Sequence, residues 1–496
     1  VRVVYADRES PYRALLALAG CEYGDLERLV KRDGVEEALR DLFAQGVYLT
    51  VDEFKGRRPV VRRGVTIAVD PRRLRNPAVA AHVAVQTGGS RGPATPVPID
   101  LAFLRDRAVN TLLALDARGG GAWVKAHWQV PGAGALARLV EFSGFGAPVA
   151  RWFTQVDPAA PGLHPRYRWS ARLLRWGSLL AGAPLPRPIH VPLDRPLPIA
   201  RWMDEVRHGG QTPHLFTFAS SAVRLCQAAA DQGVDLHGVQ FTVTGEPLTA
   251  ARLAVIRRCG AEAVPRYAIM ECGAIGLGCL RPEAADDVHL LHDLHAVIQP
   301  DPRPGASAAA ARPLYVSSIG STAPFVLVNV SMGDQAVLTD RRCGCALEGL
   351  GWPSHLHTVR SHEKLTAGGM TLLDTDVIRV LEEVLPARFG GVPTDYQLVE
   401  DESSDGRPRL DLLVHPAVGP VDPAAVAQAF LDAVGAGSGV ERVTRLLWGD
   451  AGLLRVERRP PRITGAGKIL HLHARPAGSP SSAPSSTFEG SMSARE

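Results

Sequence analysis

Two short segments in the middle of the chain combine residue types that could bind a nucleotide. The first is a β-branched and aromatic run that ends in the turn Gly245-Glu246-Pro247. The second carries Tyr267 and, four residues later, Glu271. An aromatic ring can stack on a base, and a carboxylate can hold Mg²⁺ beside phosphates. The two segments therefore indicate a nucleotide site at two strand ends, with two core strands and ordinary turns as the alternative.

An earlier loop could bind phosphate oxygens. It is rich in glycine and hydroxyl groups and contains Thr87, Gly89, Ser90, Arg91 and Gly92. Backbone N–H groups in such a loop can surround an anion, and the arginine adds a forked donor. Loops of this composition are also common on plain surfaces, so a surface loop stays open as the alternative.

Two single residues further along could complete a nucleotide site. Asp340 stands at a predicted strand end, where an acidic residue can accept the ribose hydroxyls. Lys468 follows a glycine-flanked turn and could carry its charge into a distant cleft. This turn lacks the glycine spacing and the following Ser or Thr of a P-loop. A turn aspartate and a solvated lysine are the alternatives.

Cysteines and histidines in the second half of the chain indicate a metal site. Cys343 and Cys345 form a Cys-Xaa-Cys pair, and Cys279 and His289 precede it. Soft thiolates with one imidazole suit tetrahedral Zn²⁺. We therefore predict a zinc site, with free buried thiols as the alternative. The histidines that compete for the imidazole position are His292 and His295.

The elements that must position these residues follow from the hydrophobic periodicity. Residues 10–45 have apolar residues at three- and four-residue spacing and are predicted to be helical. Between residues 60 and 350, short β-rich runs alternate with helical stretches. This alternation predicts an α/β fold with mostly parallel sheets and helices.

The pattern changes near residues 358–370, which predicts a second, smaller α+β unit. We expect helices at 375–384 and 423–436, and strands at 395–402, 408–415 and 442–447. The boundaries that follow are 1–359 for a large N-terminal domain and 360–476 for a small mobile C-terminal domain. The Ser/Pro-rich residues 477–496 are predicted to be disordered.

The composition excludes several classes of protein. The chain has 496 residues, of which 46% are hydrophobic, and 55 basic residues are mixed with 51 acidic ones for a net charge of +4. Basic residues do not cluster in a stripe, so we expect no nucleic-acid partner. The sequence contains no run of about 18 apolar residues, so we expect no membrane span. Its first residues carry charges at positions where a signal peptide would be apolar. Seven sparse cysteines fit a reducing compartment, so we expect a cytoplasmic protein.

The order of these motifs resembles that of the adenylate-forming superfamily, which includes acyl-CoA synthetases, adenylation domains of peptide synthetases and firefly luciferase. The phenylacetate–CoA ligase branch is similar from Ser10 to Lys468. Its Ser-Ser-Gly-Thr-Thr-Gly loop resembles residues 87–92, its Gly-Ala-Glu-Pro turn resembles residues 245–247, and its Tyr-Gly-Xaa-Thr-Glu motif resembles residues 267–271. Some members of the branch also carry a Cys, a His and a Cys-Xaa-Cys.

This resemblance implies a reaction. A carboxylic acid attacks the α-phosphate of ATP to give an acyl-adenylate and pyrophosphate, the small domain rotates, and a thiol of coenzyme A attacks the acyl carbon. Residues 1–359 would be the adenylation domain and residues 360–476 its lid. The alternatives are transfer to a carrier-protein thiol or an amine, and a catalytically silent nucleotide- or acyl-CoA-binding pseudoenzyme. A homodimer also stays open.

The resemblance also implies residue roles. Glu271 would hold Mg²⁺, Lys468 and Arg91 would screen the phosphates, and Arg360 would lie by the ribose or phosphates. Asp340 would bind the ribose, and His362 stands where the family has the Asp of its pivot. The predicted adenine slot consists of Gly245, Glu246 and Tyr267, and Pro247 is also predicted to bind ATP.

The sequence departs from the family pattern at several positions. Arg91 and Pro93 replace a Thr and a Lys in the phosphate loop, and Ala268 and Met270 replace a Gly and a Thr between Tyr267 and Glu271. These changes would retune, slow or silence the enzyme. The acid pocket is predicted in regions 123–145 and 214–222, whose aromatic residues suit an aryl acid of the phenylacetate type. These aromatic and imidazole side chains are Trp123, His127, Trp128, His214, Phe216 and Phe218.

Overall fold

The computed structural model describes most of the chain. The described residues are 2–80, 83–86, 96–130, 133–144, 146–157, 172, 175–179, 184–301, 311–361, 366–367, 370–371, 374–402, 408–435, 454–464 and 467–474. The helices are α1 (Arg2–Ala6), α2 (Pro11–Leu18), α3 (Tyr23–Asp33), α4 (Val35–Ala44), α5 (Val51–Phe54), α6 (Leu101–Asp116), α7 (Ala133–Ser143), α8 (Leu197–His208), α9 (Ala219–Asp231), α10 (Ala250–Arg258), α11 (Asp374–Arg379), α12 (Leu385–Phe389) and α13 (Pro423–Val434).

The strands fall into one large sheet and several small ones. They are β1 (Val60–Arg62), β2 (Val65–Ile67), β3 (Val83–Gln86), β4 (Pro96–Ile99), β5 (Val124–Gln129), β6 (Val149–Thr154), β7 (Pro188–His190), β8 (Pro213–Phe218), β9 (Gln240–Thr244), β10 (Glu262–Ile269), β11 (Gly273–Gly278), β12 (Val288–Leu290), β13 (His295–Ile298), β14 (Arg312–Ser318), β15 (Val330–Asp340), β16 (Ser354–Ser361), β17 (Thr366–Ala367), β18 (Met370–Thr371), β19 (Tyr396–Glu402), β20 (Pro408–Val414), β21 (Leu454–Arg458) and β22 (Leu472–Ala474).

The large sheet has the strand order β13-β14-β15-β16-β12-β11-β10-β9-β8-β5-β6-β7. In this order, the neighbouring strands β7, β6, β5, β8, β9 and β10 pair in parallel. Helices α9 and α10 form the crossovers that parallel pairing of β8, β9 and β10 requires. The remaining pairs, from β10 through β11, β12, β16, β15 and β14 to β13, are antiparallel, and a short turn suffices to join β10 to β11. The predicted α/β class is confirmed, whereas only one half of the large sheet is parallel.

The two faces of the parallel half are covered by different helices. On one face, side chains such as Leu215 and Phe241 pack with α8, α9 and α10 in one buried core. On the other face, Phe216 packs with Leu139 and Phe142 of α7. Since side chains alternate along a strand, residues 214, 216 and 218 of β8 share this second face.

A smaller unit follows the large sheet. Strands β21, β20, β19 and β22 form a four-stranded sheet that packs against α13 and the π-helical turn Val380–Val384 around its own core. The observed helices and strands match the predicted ones at 375–384, 395–402, 408–415 and 423–436. The predicted strand at 442–447 lies outside the described residues, and the domain boundaries stay a prediction.

The predicted helical region 10–45 forms α2, α3 and α4. In the part of the chain that the structure describes, no helix has both the length and the hydropathy that crossing a membrane requires.

Candidate active site and metal centre

The two segments that could bind a nucleotide come together at one edge of the large sheet. Strands β9 and β10 are parallel neighbours, and Thr244 pairs with Arg266. The carboxyl ends of parallel strands meet at the same edge, which is where α/β proteins bind their ligands. The Gly245 turn follows β9 and Glu271 follows β10, so both predicted segments face one crevice.

Lys468 of the small unit reaches the Gly245 turn. A Cβ atom on Gly245 would lie 2.9 Å from Lys468 Cε and 3.0 Å from Lys468 Nζ. Lys468 Nζ also stands 5.6 Å from the centre of the Phe218 ring, which itself borders Gly245. Gly245 has a φ of +77°, so both its backbone conformation and its close neighbours favour glycine. The structure thus brings together two residues that the sequence could only propose separately.

The segment around Lys468 is docked into the large sheet on both sides of the lysine. Gly467 has a φ of +80°, and a side chain there would overlap Gln155. Ile469 is buried in the core that α8, α9 and α10 share with the sheet. Its backbone N–H donates to Glu246 Oε1 at 2.8 Å. Lys468 is therefore held at the crevice by its neighbours in the chain.

The Glu246 side chain stabilises the turn that follows β9. Its carboxylate accepts from the Ser220 backbone N–H at 2.8 Å, from the Ser220 hydroxyl at 2.9 Å, and from Arg252 Nη1 at 3.1 Å. The carbonyl of Pro247 also accepts from Arg252, at 3.3 Å. The Glu246 side chain is almost fully buried, so it fixes the shape of the turn and presents its backbone to the crevice.

A buried ion network joins the large sheet to the small unit, and we call it the interdomain network. It consists of Glu246, Thr249, Arg252, Glu382 and His471. Arg252 Nε donates to Glu382 Oε1 at 2.7 Å, and its Nη2 lies 3.1 Å from His471 Nε2. Burial opposes the charge of Glu382, but Arg252 and His471 lower its pKa to about 2. The carboxylate is therefore ionised at neutral pH.

Tyr267 and Glu271 each have an unforeseen partner. The Tyr267 hydroxyl donates to Asp334 Oδ2 at 2.9 Å. Glu271 Oε1 lies 3.8 Å from the Lys55 ammonium, and burial raises the pKa of Glu271 although Lys55 opposes that shift. Asp334 also raises the pKa of Glu271 through repulsion. Two carboxylates and one ammonium thus gather beside the ring, a set of charges that suits a divalent cation and a phosphate.

Asp334, rather than Asp340, is the acidic residue that the structure brings to Tyr267. Both lie on β15, but six residues separate them, which is roughly 20 Å along a strand. Asp340 is exposed at the far end, where it accepts a hydrogen bond from the Ser354 hydroxyl. Asp340 does stand at a strand end, as predicted, but it is the end of β15 that lies away from Tyr267.

Arg360 lies on β16 at the end of the sheet where Asp334 is found, since Gln335 pairs with Arg360. Its Nη1 donates to Asp286 Oδ2 at 2.7 Å. The Asp286 carboxylate also accepts from the backbone N–H groups of Thr358 and Val359. Arg360 is therefore oriented by an acidic partner that the sequence did not reveal.

Some predicted site residues lie outside the described residues, and others lie away from the crevice. The phosphate-loop residues Thr87, Gly89, Ser90, Arg91 and Gly92 lie outside the described residues, between β3 and β4, and so does His362. Met270 is 36% exposed, and its Cε would touch a side chain on Gly134. Trp128 belongs to the opposite face of the sheet from Phe216, where its Nε1 donates to the Val191 carbonyl.

The predicted metal ligands converge at the base of the antiparallel half of the sheet. One ligand atom from each of Cys279, His289, Cys343 and His355 lies within 4.8 Å of all the others. Cys345 Sγ is 3.2 Å from His289 Nε2, and Cys343 Sγ is 3.6 Å from the same nitrogen. Five sulfur and nitrogen donors therefore surround one point, and four suffice for tetrahedral zinc.

His355 was missed by the sequence analysis. It lies on β16, directly opposite His289 on β12, and no local spacing relates it to the cysteines. His355 Nδ1 pairs with Asp287 Oδ1 at 2.9 Å, and His289 Nδ1 donates to the Trp352 carbonyl at 2.6 Å. Both rings therefore offer Nε2 to the cluster, as metal-binding histidines do. The competitors lie elsewhere, because His295 bonds to the Ala274 carbonyl and His292 faces Glu36.

Comparisons with known proteins were made for the whole chain. No protein-family model and no curated protein matches the sequence. Among solved structures, 2-hydroxyisobutyryl-CoA ligase in the thioesterification state is 16% identical, with 96% of this chain and 92% of that one covered and a TM-score of 0.42. An amide bond synthetase from Marinactinospora thermotolerans is 15% identical, with 92% and 86% covered and a TM-score of 0.44.

A third similar structure is O-succinylbenzoate coenzyme A synthetase from Bacillus subtilis in complex with AMP. It is 13% identical, with 79% of this chain and 68% of that one covered and a TM-score of 0.44. Of these three structures, the 2-hydroxyisobutyryl-CoA ligase is in complex with 2-HIB-AMP and CoA, and the O-succinylbenzoate coenzyme A synthetase is in complex with AMP.

Proposed function

We propose that the chain is an ATP-dependent ligase that joins a carboxylic acid to a thiol through an acyl-adenylate. The observation that carries the proposal is the position of Lys468 against the Gly245 turn, in the crevice that also holds Tyr267 and Glu271. A lysine from a separate small unit, an aromatic ring and a buried carboxylate are the groups that activation of an acid by ATP requires.

The first half-reaction needs two anions to approach each other. Lys468 would neutralise the charge that develops between the acid carboxylate and the α-phosphate, and such electrostatic stabilisation usually contributes most to catalysis of this kind. Mg²⁺ would supply further charge neutralisation at the phosphates when bound by Glu271. The ring of Tyr267 would border the adenine, and Asp334, which accepts a hydrogen bond from the Tyr267 hydroxyl, would accept the ribose hydroxyls. Arg91 would assist from the phosphate loop and Arg360 from β16.

The second half-reaction needs Lys468 to leave. We propose that the small unit rotates about the region of Arg360 and His362, so that the interdomain network opens and a thiol can approach the adenylate. Coenzyme A is the proposed thiol. A carrier-protein thiol or an amine is the alternative acceptor, and a pseudoenzyme that binds nucleotide without turnover is the alternative from another class.

Zinc would be structural in this scheme. Cys279, His289, Cys343, Cys345 and His355 form a closed donor set, away from the crevice and with both histidines fixed by hydrogen bonds. A closed set of thiolate and imidazole ligands is typical of structural zinc. The metal would tie β11, β12 and β16 to the loop after β15.

A pyrophosphate-release assay over a panel of aryl and alkyl acids tests the proposal. We expect acid-dependent release in the presence of ATP and Mg²⁺, and the matching acyl-CoA by mass spectrometry when coenzyme A is added. Acyl-adenylate without acyl-CoA would favour the carrier protein or the amine as acceptor. Measurable ATP binding without release for any acid would contradict the ligase and favour the pseudoenzyme.

A further inference from the structure

Two cysteines outside the cluster of cysteines and histidines lie side by side on the helices that cover the parallel half of the large sheet. Cys226 belongs to α9, and Cys259 follows directly after the last residue of α10. The sulfur of Cys259 lies 3.4 Å from the carbonyl oxygen of Cys226, although 33 positions of the chain separate the two residues. The packing of α9 against α10 therefore brings together two thiols that are distant in the sequence.

The two thiols have different surroundings. Cys226 is fully buried in the core that α8, α9 and α10 share with the sheet. Cys259 packs against the same core but is only partly buried. A small oxidant in solution can therefore reach the sulfur of Cys259 directly, whereas the sulfur of Cys226 is shielded from solvent.

The two thiols also differ in acidity. Hydrogen bonding to Cys226 and the charge of Arg258 lower the pKa of Cys259 to about 7, although partial burial and Asp231 oppose this shift. Hydrogen bonding to Cys259 and burial raise the pKa of Cys226. Because the thiolate is the nucleophilic form of cysteine, Cys259 is the member of the pair that reacts at neutral pH.

The other five cysteines have different surroundings from this pair. Three of them belong to the proposed zinc site, and burial raises the pKa of the fully buried Cys272. Cys21 is partly exposed, and its sulfur lies 3.8 Å from both the Tyr5 hydroxyl and the Glu22 carbonyl. Cys21 is therefore the natural comparison for Cys259, since it has similar exposure in a different setting.

We propose that Cys226 and Cys259 form a modification site, at which hydrogen peroxide produces a disulfide that fastens α9 to α10. Rotation about the Cα–Cβ bond of Cys259 changes the distance between the two sulfur atoms without moving either helix. The inference is independent of the proposed ligase activity, because neither cysteine has a part in the proposed reaction.

The oxidation takes place in two steps. The Cys259 thiolate attacks a peroxide oxygen, the O–O bond breaks, and a sulfenic acid forms on Cys259 while the released hydroxide takes up a proton to give water. The Cys226 thiol then attacks the sulfenic sulfur, the S–O bond breaks, and the disulfide forms as a second water molecule leaves with the Cys226 proton. In total the two thiols lose two electrons and two protons, and the peroxide is reduced to two water molecules.

The disulfide would restrain the two helices that hold the turn after β9. Ser220 at the start of α9 donates two hydrogen bonds to Glu246, and Arg252 on α10 donates to the same carboxylate. A disulfide stabilises a protein mainly by restricting its unfolded chain, and the restriction grows with the length of the loop that it closes. The oxidised protein should therefore have a higher Tm than the reduced protein.

Peptide mapping of the peroxide-treated wild-type protein tests the linkage. Trypsin cleaves at arginines on both sides of each cysteine, so Cys226 and Cys259 fall in separate peptides, residues 225–252 and 259–266. After peroxide treatment at neutral pH and alkylation of the remaining thiols, we expect these peptides to be joined in one species that dithiothreitol separates. Recovery of both peptides unlinked, with Cys259 alkylated or oxidised to the sulfinic acid, would overturn the proposal.

Variants assign the linkage to its residues. Cys259→Ser and Cys21→Ser are a matched pair, because each replaces a partly exposed thiol. Cys259→Ser should abolish the linked species, and Cys21→Ser should keep the wild-type yield. Cys226→Ala should leave a sulfenic acid on Cys259, detected as its dimedone adduct, because the second thiol is gone. If Cys226→Ala does not fold, the wild-type protein and Cys259→Ser still decide, and linkage of Cys259 to Cys21 instead would overturn the pairing.

Thermal unfolding measures the effect of the disulfide on the fold. The oxidised wild-type protein should have a Tm a few degrees above that of the reduced wild-type protein. Peroxide should not raise the Tm of Cys259→Ser, which also reports the effect of oxidation at the other cysteines. A linked wild-type protein whose Tm is equal to or below that of the reduced protein would overturn the proposal that the disulfide fastens α9 to α10.

Discussion

Lys468 is the residue on which the proposed chemistry depends most. It stands beside Gly245 and over the ring of Phe218, so under the proposed rotation its charge would act only while the small unit is docked. We expect Lys468→Ala to reduce acid-dependent pyrophosphate release by roughly a hundredfold to a thousandfold. Thioester formation from a preformed acyl-adenylate should stay near the wild-type rate, because the proposed rotation would remove the lysine from the crevice at that stage.

The control for this prediction is Lys31→Ala, since Lys31 is an exposed residue of α3. It should leave both half-reactions unchanged. Equal losses in the two half-reactions for Lys468→Ala would contradict a role confined to adenylation and would indicate a structural effect of the substitution.

Asp334 and Asp340 form a matched pair on one strand. Asp334 contacts the Tyr267 hydroxyl, whereas Asp340 is exposed at the other end of β15. If Asp334 accepts the ribose hydroxyls, Asp334→Asn should raise KM for ATP by about tenfold, because hydrogen bonds to a charged group are lost. Asp340→Asn should leave KM for ATP unchanged. Initial rates of pyrophosphate release against ATP concentration measure both, and the reverse pattern would restore the assignment made from the sequence.

At the scale of elements, the cluster of cysteines and histidines links β11, β12 and β16. Because its five donors come from segments far apart in the chain, a bound zinc would cross-link them and stabilise the fold. We expect elemental analysis of the chelator-washed protein to give about one zinc per chain. Removal of this zinc by a stronger chelator should lower Tm.

Variants test which histidines bind the metal. His355→Ala should lower the zinc content, because its Nε2 is buried and directed at the cluster. His292→Ala is the control, since His292 faces Glu36 and should keep the full zinc content. If the protein contains no zinc, and all its cysteines react with a thiol reagent both before and after unfolding, the cluster consists of free thiols instead.

At the scale of the whole molecule, the interdomain network holds the small unit in place. Glu382 bridges Arg252 of α10 and His471 of the small unit, and all of these groups are nearly fully buried. Loss of one partner leaves a buried charge less compensated, so Glu382→Gln should lower the free energy of unfolding by about 3 kcal/mol at pH 7. Glu383→Gln, at the exposed neighbouring position, is the control.

The pH dependence identifies the charge as the cause. The pKa of Glu382 is lowered from its ordinary value of 4.5 to about 2, so its stabilising contribution is complete above pH 4.5 and is lost as the pH falls towards 2. The stability difference between wild type and Glu382→Gln should therefore shrink across this window. Urea unfolding followed by circular dichroism at several pH values measures it. A constant difference from pH 7 to pH 2 would exclude the ionised carboxylate as the cause.

The interdomain network also bears on turnover, since the proposed rotation must break it. Arg252 contacts Glu246 and Glu382 at the same time, so the turn that borders the crevice and the docking of the small unit share one guanidinium. This shared residue would couple the shape of the proposed nucleotide site to the position of Lys468. Such coupling would favour adenylation only in the docked arrangement.

Much of the local structure was determined by the sequence itself. Three-residue and four-residue apolar spacing predicted α2, α3 and α4, and the β-branched and aromatic run before Gly245 predicted β9. The Gly-Glu-Pro turn and the Tyr267–Glu271 spacing also located the crevice, because strand ends and turns are local features. The Cys-Xaa-Cys pair located the cluster of cysteines and histidines for the same reason, whereas its zinc stays a prediction.

The tertiary structure decided which distant residues meet. Asp334 rather than Asp340 reaches Tyr267, because the path of a long antiparallel strand sets which end faces the crevice. His355 joins the cysteines because β12 and β16 are neighbours in the sheet, and Lys55 meets Glu271 across the core. The buried ion pair between Arg107 on α6 and Glu141 on α7 is likewise invisible in the sequence, since the two residues lie on different helices. Periodicity fixes local conformation, whereas contacts between distant segments depend on packing and register.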